Sequence, residues 1–363
     1  MTNKTNSIIF PTIGFIIPVG NSEAHIDIFL KNHMLEVEKY KGDIVSIFVC
    51  NNSTAACIKK LEKYKSKKTM IFNIGDTKNG ISKARNFGVK NIPSDVDYIT
   101  FIDDDDGFYA EELNKALMDN QSYTDILVFN WTDNKYIKNN RFRSALPRKG
   151  RIDNFDKIAK DLESYLLLPK KMPYLGYCWG KLFRYELILG NKIRFNEDIS
   201  TFEDVLFLLE ALSKANEIYF SNNYLVNFNF IIKSSGLKAS FGESFLGAMG
   251  FVTVAKYIKN NLGKCRIFKK SIEINNLLPR YTGYLFFFTL IRIVQNKSPN
   301  ELFGLLKTSR KVIHDIDLEF DQAKYIYMKE SGESKLVAFL NKKKFWTFAI
   351  IYKTLHTLLR TKK

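Results

Sequence analysis

Four consecutive aspartates, Asp103–Asp106, follow a short run of β-forming residues, Tyr98–Ile102. The run is apolar and β-branched or aromatic, which predicts a buried strand that delivers four carboxylates at its end. Carboxylates crowded at one strand end repel each other and lose hydration unless positive charge lies among them. A divalent cation with oxygen ligands would supply that charge, and a nucleoside diphosphate would complete its coordination shell. A solvated acidic turn and a structural calcium loop are the alternatives.

A second acidic pair, Glu203 and Asp204, opens the helical run Val205–Leu212. Carboxylates are common in the first turn of a helix because they complement its dipole, so this pair alone does not indicate chemistry.

A basic segment, residues 132–151, contains seven Lys or Arg and one acid, Asp133. It is either a solvated loop or a flap over a phosphorylated ligand or an anionic acceptor.

The elements that must position these residues follow an alternating pattern. Strands are predicted at Ile13–Val19, Asp43–Cys50, Thr69–Ile74, Asp97–Asp103 and Asp125–Trp131, and helices at Ser22–Tyr40, Gly80–Asn91 and Asp153–Leu168. The alternation of the first four strands with helices is typical of parallel βαβ units with right-handed crossovers. Ligands of such sheets bind at the carboxyl ends of the strands. Asn51, Asn79 and Asp103–Asp106 should therefore meet in one crevice.

The composition is that of an ordinary globular chain with an unusual charge. The 363 residues suffice for one large domain or two ordinary ones, and the net charge is +17. That charge indicates a polyanionic partner, such as an acidic membrane surface, a nucleic acid or a phosphorylated substrate. The four cysteines form no CxxC pair, so neither a zinc site nor a disulfide framework is predicted and a reducing cytoplasm fits. We expect neither a signal peptide nor a membrane-spanning helix.

The C-terminal third has a different character. From about Ser240 the pattern becomes helical and basic, and we place a domain boundary between residues 1–235 and 236–363, with a buried helix at Tyr284–Val294. The last stretch, Asn341–Lys363, has seven Lys or Arg and no acid. Its apolar residues follow helical spacing: Phe348, Ile351, Tyr352, Leu355, Leu358 and Leu359. This predicts a basic amphipathic helix on an anionic membrane surface, and a terminal helix packed on the body is the alternative.

Two unrelated functions fit parts of the pattern. Asp104, Asp106 and Gly107 form an Asp-x-Asp-Gly sequence similar to that of haloacid-dehalogenase-like phosphatases, but Phe108 stands where that chemistry needs Thr or Ser. A nucleic-acid-binding protein would account for the positive charge. Since the sequence has no helix-turn-helix, RNP-like or zinc pattern, we expect no nucleic-acid partner.

Five segments occur in an order that resembles glycosyltransferase family 2, the inverting enzymes with the GT-A fold. They are Phe15–Asn21 (FIIPVGN), Val49–Thr54 (VCNNST), Asn79–Gly88 (NGISKARNFG), Phe101–Asp106 (FIDDDD) and Trp179–Leu206, which contains WGKLFRYEL and FEDVLF. Each segment is weak alone, whereas the ordered set is specific, and it covers roughly residues 10–235. The resemblance implies an α/β fold of the GT-A type: a Rossmann-like, mostly parallel sheet flanked by helices, here with a helical C-terminal extension.

The resemblance implies roles around the leaving group. Asp105 would bind the metal, Mn²⁺ or Mg²⁺, which neutralises the departing nucleoside diphosphate. Asp103 and Asp104 would face the nucleoside and the donor sugar, and Arg85 would hold the aspartate turn through a charge-assisted pair. The further donor-binding residues that it implies are Pro18, Val19, Asn51, Asn52, Asn79 and Lys83.

On the acceptor side, Asp204 would be the general base that takes the proton of the attacking hydroxyl, while Glu203 would orient or bind. Trp179 would either stack on the acceptor sugar or lie in the core. The implied reaction is metal-dependent hexosyl or N-acetylhexosaminyl transfer from a nucleotide-sugar, by resemblance a UDP-sugar, to a glycan hydroxyl. A lipid-linked acceptor of a surface polysaccharide, such as capsule or O-antigen, is the family-level expectation. The enzyme would then lie in the cytoplasm, peripheral on the inner face of the membrane.

One departure from the family concerns the turn after the second strand. An Asp usually accepts there from the uracil ring N–H, whereas this chain has Cys50, Asn51 and Asn52. Asn can accept through its amide oxygen. Both an active transferase and a member that binds the nucleotide-sugar without transfer are therefore compatible with the sequence.

Overall fold

The computed structural model describes residues 9–77, 80–120, 124–133, 146–153, 155–167, 172–199, 201–228 and 250–261, with Lys264, Ile267 and Lys269 beyond them. The predicted membrane helix (341–363), the predicted buried helix (284–294), Asn79 and positions 134–145 of the predicted flap lie outside the described residues. Two compact units are distinguished. One takes in the described residues among 1–158, 172–198 and 203–234, and the other those among 159–171, 199–202 and 235–363.

The N-terminal half of the sheet is parallel, as the sequence predicts. Its strands are β1 (Ile13–Val19), β2 (Ile44–Cys50), β3 (Thr69–Asn73) and β4 (Tyr98–Phe101), in the order β3-β2-β1-β4. Every residue of β1 and β2 is buried, which explains their nearly continuous apolar sequences. Helices α1 (Ile26–Lys39), α2 (Ala55–Glu62) and α3 (Gly80–Asn91) connect these strands. Thr54 caps α2, since its side chain accepts from Cys57 N at 3.1 Å.

The rest of the sheet makes it mixed rather than mostly parallel. Its strands are β5 (Gly107–Phe108), β6 (Ile126–Asp133), β7 (Gly150–Ile152), β8 (Lys181–Arg184) and β9 (Ile218–Phe228). The order continues from β4 as β8-β6-β9-β5, and β7 pairs with β9. Strand β8 is antiparallel to both of its neighbours, β4 and β6. Of the added strands only β6 was predicted, because the others are very short or, in β9, interrupted by the polar sequence Ser221–Asn223.

The remaining described helices are α4 (Ala110–Asp119), α5 (Asp156–Leu167), α6 (Tyr185–Gly190), α7 (Glu203–Lys214) and α8 (Gly250–Asn261), with a 3₁₀ turn at Pro173–Gly176. None of the helices in the described ranges combines the length and the apolar character that crossing a bilayer requires. Helix α7 begins at the predicted acidic pair, and Glu203 and Asp204 form its first turn.

Helix α3 lies very close to the central strand β1. A Cβ atom built on Gly88 would stand 2.5 Å from Cγ2 of Ile16, so this position has no room for a side chain. The face that α3 buries includes Ser82, Ala84, Gly88 and Val89 and also a charged residue, Arg85. Because a buried arginine is rare unless it is paired, we expect acidic partners around Arg85.

We expect Gly88→Ala to destabilise the protein by about 1–3 kcal/mol, because the added methyl group must push α3 away from β1. Urea unfolding of the purified variants measures this. Gly190→Ala is the matched control: its new methyl group would meet nothing nearer than Glu186 Oε2 at 3.8 Å. Equal stability of the two variants would show that α3 does not depend on this close approach.

Candidate functional site

The carboxyl ends of β1, β2 and β4 meet, as the strand pattern predicts. Asn51 N donates to Val19 O at 2.8 Å, and Ser53 Oγ donates to the carbonyls of Val19 and Gly20 at 2.9 Å each. Gly20 N in turn donates to Asp104 Oδ2 at 3.3 Å. The end of β1, where the predicted donor-binding residues Pro18 and Val19 lie, is therefore tied to both neighbouring strand ends through Val19 and Gly20.

Asp104 is turned into the protein. Its side chain accepts hydrogen bonds from Ser22 Oγ and Gly20 N, and His25 Nε2 lies 3.6 Å from Oδ1. The residue is only 5% exposed. Asp104 was predicted to face the nucleoside or the donor sugar, but its buried carboxylate instead anchors the aspartate turn to the β1–α1 connection.

Asn51 uses its amide group as a donor. Nδ2 donates to Gly75 O at 3.0 Å and to Thr77 Oγ1 at 2.6 Å, which holds the segment after β3 against the β2 turn. A carboxylate could not make these bonds, since it only accepts. The neighbouring Asn52 has φ of 55°, a left-handed conformation that Asn tolerates well. These two positions thus build the turn as well as offering polar atoms to a ligand.

Arg85 lies at the centre of the site with its side chain 2% exposed, and three carboxylates surround it. Nη1 is 2.5 Å from Asp204 Oδ1 and 3.7 Å from Glu203 Oε1, and Nη2 is 3.1 Å from Asp103 Oδ1. The predicted pair between Arg85 and the aspartate turn is thus confirmed. The same guanidinium also holds the first turn of α7, so the two acidic segments of the sequence form one cluster.

The charged side chains of this cluster shift each other's pKa values. Burial opposes the charge on Arg85, but the attraction of Asp204, followed by Cys178, Asp103 and Glu203, outweighs burial and raises the pKa of Arg85 well above its usual value. Burial raises the pKa of Glu203 to about 7, Asp204 and Asp103 add to the rise, and Arg85 opposes it. Glu203 therefore changes its protonation near neutral pH, where a proton-transferring group is most effective.

A backbone loop holds the other oxygen of Asp204. Cys178 N donates to Asp204 Oδ2 at 3.3 Å. The carbonyls on either side of Cys178 are both bound by one buried lysine: Lys181 Nζ donates to Tyr177 O at 2.8 Å and to Trp179 O at 3.3 Å. Burial lowers the pKa of Lys181 to about 8. Lys181 thus fixes the peptide that positions Asp204, a role that the sequence did not indicate.

Three aromatic rings form a stack beside this loop. Trp179 is stacked between Tyr177, with ring centroids 4.6 Å apart, and Phe228, 5.5 Å apart, and the edge of Trp131 meets it at 5.3 Å. Trp179 is only 5% exposed. Of the two alternatives predicted for Trp179, the structure favours the position in the core over stacking on an acceptor sugar, because both faces of the ring are covered. Tyr177 is 41% exposed and presents the free end of the stack, one residue from the peptide that holds Asp204.

The aspartate turn suits a cation that is shared with a ligand. Within the described ranges, no three His, Cys, Asp or Glu side chains are placed to hold a metal ion by themselves. Asp103 is engaged by Arg85 and Asp104 by the β1–α1 connection, and the half-buried Asp105 follows them in the turn. Mg²⁺ is commonly bound by one or two carboxylates together with substrate phosphates. The donor set fits that arrangement.

Lys83, another predicted donor-binding residue, lies outside the carboxylate cluster. It lies on α3 but lines a cavity together with Thr77, Asn86 and Arg194, whereas Arg85 faces the carboxylate cluster. Its role therefore differs from that of Arg85, two residues further along the same helix.

Comparison with known proteins gives a consistent assignment. Residues 15–180 match the family model described as Glycosyl transferase family 2. The chain is 28% identical over 222 residues to the cholesterol galactosyltransferase of Borreliella burgdorferi, covering 58% of each protein. It is 28% identical over 246 residues to the poly(ribitol-phosphate) beta-glucosyltransferase of Bacillus spizizenii, covering 65% of this chain and 35% of that protein. The alignments thus span less than two thirds of these relatives' own length.

A solved structure shares the fold. The crystal structure of Staphylococcus aureus TarS 1–349 in complex with UDP-GlcNAc matches with a TM-score of 0.56 and 18% identity, over 89% of this chain and 92% of that chain. The predicted GT-A fold class is therefore confirmed.

We expect Arg85→Met to cost about 3–5 kcal/mol of stability, since it leaves buried carboxylates without their cation. Urea unfolding at neutral pH measures the loss. Lys83→Met on the same helix is the matched control and should change stability by less than about 0.5 kcal/mol. A cost for Arg85→Met no larger than that of the control would show that the guanidinium does not hold the cluster together.

Proposed function

We propose that residues 15–180, which match the glycosyltransferase family 2 model, are a domain that transfers a sugar, with inversion, from a UDP-sugar to a hydroxyl of a glycan acceptor. The observation that carries the proposal is the cluster around Arg85. It brings the aspartate turn at the end of β4 and the acidic first turn of α7 to one guanidinium, at the edge of the sheet where ligands of parallel α/β folds bind.

The donor would bind along the carboxyl ends of the parallel strands. The nucleoside would lie against Pro18 and Val19, with Asn51 and Asn52 at the neighbouring turn. Asp103 and Asp105 would face the diphosphate and the donor sugar. Asp105 would hold Mn²⁺ or Mg²⁺, which when bound neutralises charge on the departing diphosphate.

Asp204 would accept the proton of the acceptor hydroxyl. The hydroxyl oxygen forms a bond to the anomeric carbon while the bond from that carbon to the diphosphate breaks on the opposite face, which inverts the configuration. Arg85 and Cys178 N fix one oxygen each of Asp204, so its orientation is set before substrate arrives. Glu203 is a second candidate for this role, because its pKa of about 7 suits a base at neutral pH.

The acceptor would approach from the side of Tyr177. An exposed aromatic ring can stack on the apolar face of a sugar ring, and this ring lies one residue from the peptide that binds Asp204. The relatives named above act on cholesterol, a lipid, and on poly(ribitol phosphate), a phosphate-linked chain. We therefore propose a surface-glycan acceptor, lipid-linked, with the basic sequence 341–363 holding the enzyme to an anionic membrane.

The donor site is tested by metal-dependent binding of UDP. We expect wild-type protein to bind UDP in the presence of Mn²⁺, and Asp105→Asn to weaken this binding at least tenfold because a carboxylate ligand is lost. Isothermal titration with and without EDTA measures both. Asp95→Asn, a substitution before β4, is the control. UDP affinity unaffected by Asp105→Asn and by EDTA would contradict the metal assignment.

The transfer step is tested by release of UDP from UDP-glucose, UDP-galactose and UDP-GlcNAc with a mixed glycan acceptor pool. We expect one donor to be consumed, and Asp204→Asn to lower turnover by about 10²–10⁴-fold while UDP binding is kept. Glu203→Gln should lower it less than about tenfold. The reverse ranking of the two variants would assign the base to Glu203. Tight UDP binding without turnover of any donor would identify a binding protein instead.

A further inference from the structure

A cavity of about 740 Å³ lies along helix α3, and its lining residue Phe195 contacts Arg85, whose Cζ is 5.2 Å from the centroid of the Phe195 ring. Lys83, Asn86, Phe87 and Lys90 line it. Their spacing of three and four residues places them on one side of the helix. Thr77 lines the cavity as well, and it accepts a hydrogen bond from Asn51 at 2.6 Å. The cavity therefore borders the turn proposed for the donor without including the residues of the Arg85 cluster.

The wall opposite α3 is held in place by the side chain of Asn86. Its Nδ2 donates to Phe195 O at 2.9 Å and to Glu197 Oε1 at 2.8 Å, and its Oδ1 accepts from Phe195 N at 2.9 Å. The ring of Phe195 is stacked on Phe207, with centroids 4.1 Å apart. The cavity is thus formed in advance of any ligand, since both of its walls are bonded to each other.

Positive charge prevails along the lining. Lys83, Lys90 and Arg194 all line the cavity, and none of the three forms an ion pair with a carboxylate of the described residues. Glu197 is the acid among the lining residues, and its Oε1 is already bonded by Asn86. Three cations that converge on one space without carboxylate partners favour an anionic ligand, and phosphate offers enough acceptor oxygens for all of them.

The lining is also partly apolar. Phe87 and Phe195 contribute aromatic surface, and Ile74 adds an aliphatic side chain. Such surfaces pack against the carbon faces of sugars and polyols, which a free phosphate ion does not possess. The combination suits a ligand in which phosphate groups alternate with carbon-rich units.

We propose that this cavity, bounded by Lys83, Lys90, Arg194 and Phe195, binds a phosphate-bearing segment of the acceptor glycan. The inference rests on the proposed transferase function, because it identifies the chemical class of the acceptor. A chain anchored here by its phosphates lies beside the donor turn, and a unit further along the same chain would approach Asp204 from the side of Tyr177. The donor site is separate, because the donor diphosphate is assigned to the aspartate turn.

The test uses full-length protein saturated with UDP and Mn²⁺, so that the donor site is filled. A fluorescein-labelled glycerol-phosphate hexamer is titrated and its anisotropy is recorded. The variant is Lys90→Gln combined with Arg194→Gln, and the control is Lys59→Gln combined with Lys67→Gln, which removes the same charge from exposed positions on and after α2. Labelled maltohexaose and hexagalacturonate are the neutral and the carboxylate probes.

We expect the Lys90/Arg194 variant to bind the glycerol-phosphate hexamer about tenfold more weakly than wild type, and the control to change by less than about twofold. Equal weakening of variant and control, unchanged binding of the variant, or equally tight binding of maltohexaose overturns the proposal. Tighter binding of hexagalacturonate overturns the assignment to phosphate. If the wild-type protein does not bind UDP, the proposed function is contradicted instead. The same titrations of variant and control without UDP then test whether the cavity binds the glycerol-phosphate hexamer.

Discussion

The site depends on one buried guanidinium that is shared by three carboxylates. If Arg85 were absent, its three carboxylate partners would lie close together in a poorly hydrated site and repel each other. They are Asp103, Glu203 and Asp204. Without the carboxylates, Arg85 would be a buried charge with no compensation, which costs several kcal/mol. Arg85 and Asp204 are 119 positions apart in sequence. Two distant segments are therefore each unfavourable alone, and the fold is stable only when they meet.

Contacts around the cluster hold these two segments in fixed positions. The close approach of α3 to β1 at Gly88 sets the depth at which Arg85 enters, and Asp104 ties the aspartate turn to the β1–α1 connection. On the other side, Lys181 binds two carbonyls of the loop whose N–H holds Asp204. Because each reacting group is held by at least one buried contact, little reorganisation is needed when substrate binds.

Local sequence signals predicted a large part of this arrangement. The bounds of β1 and α3 follow from apolar runs and spacing, and the family resemblance implied the pairing of Arg85 with the aspartate turn; the structure confirms all three. The sequence did not reveal that Arg85 also holds Asp204, because no local pattern reports contacts between remote segments. The hydrogen bond that the Asn51 amide donates to Gly75 O was missed for the same reason, and the sequence could not decide between the two alternatives for Trp179. An aromatic residue just before Cys178-Trp179 was a signal for Tyr177, but only the fold shows which ring is exposed.

The claim that one guanidinium couples the aspartate turn to α7 is tested most directly by a double-mutant cycle on the unfolding free energy, with Asp103→Asn and Asp204→Asn. Replacing either aspartate alone removes one attraction to Arg85 but also relieves repulsion between the carboxylates. Replacing both leaves the charge of Arg85 with too little compensation. The double variant should therefore lose at least about 1 kcal/mol more than the sum of the single variants. Additivity within about 0.3 kcal/mol would contradict the account, because it would mean that the two segments do not share Arg85.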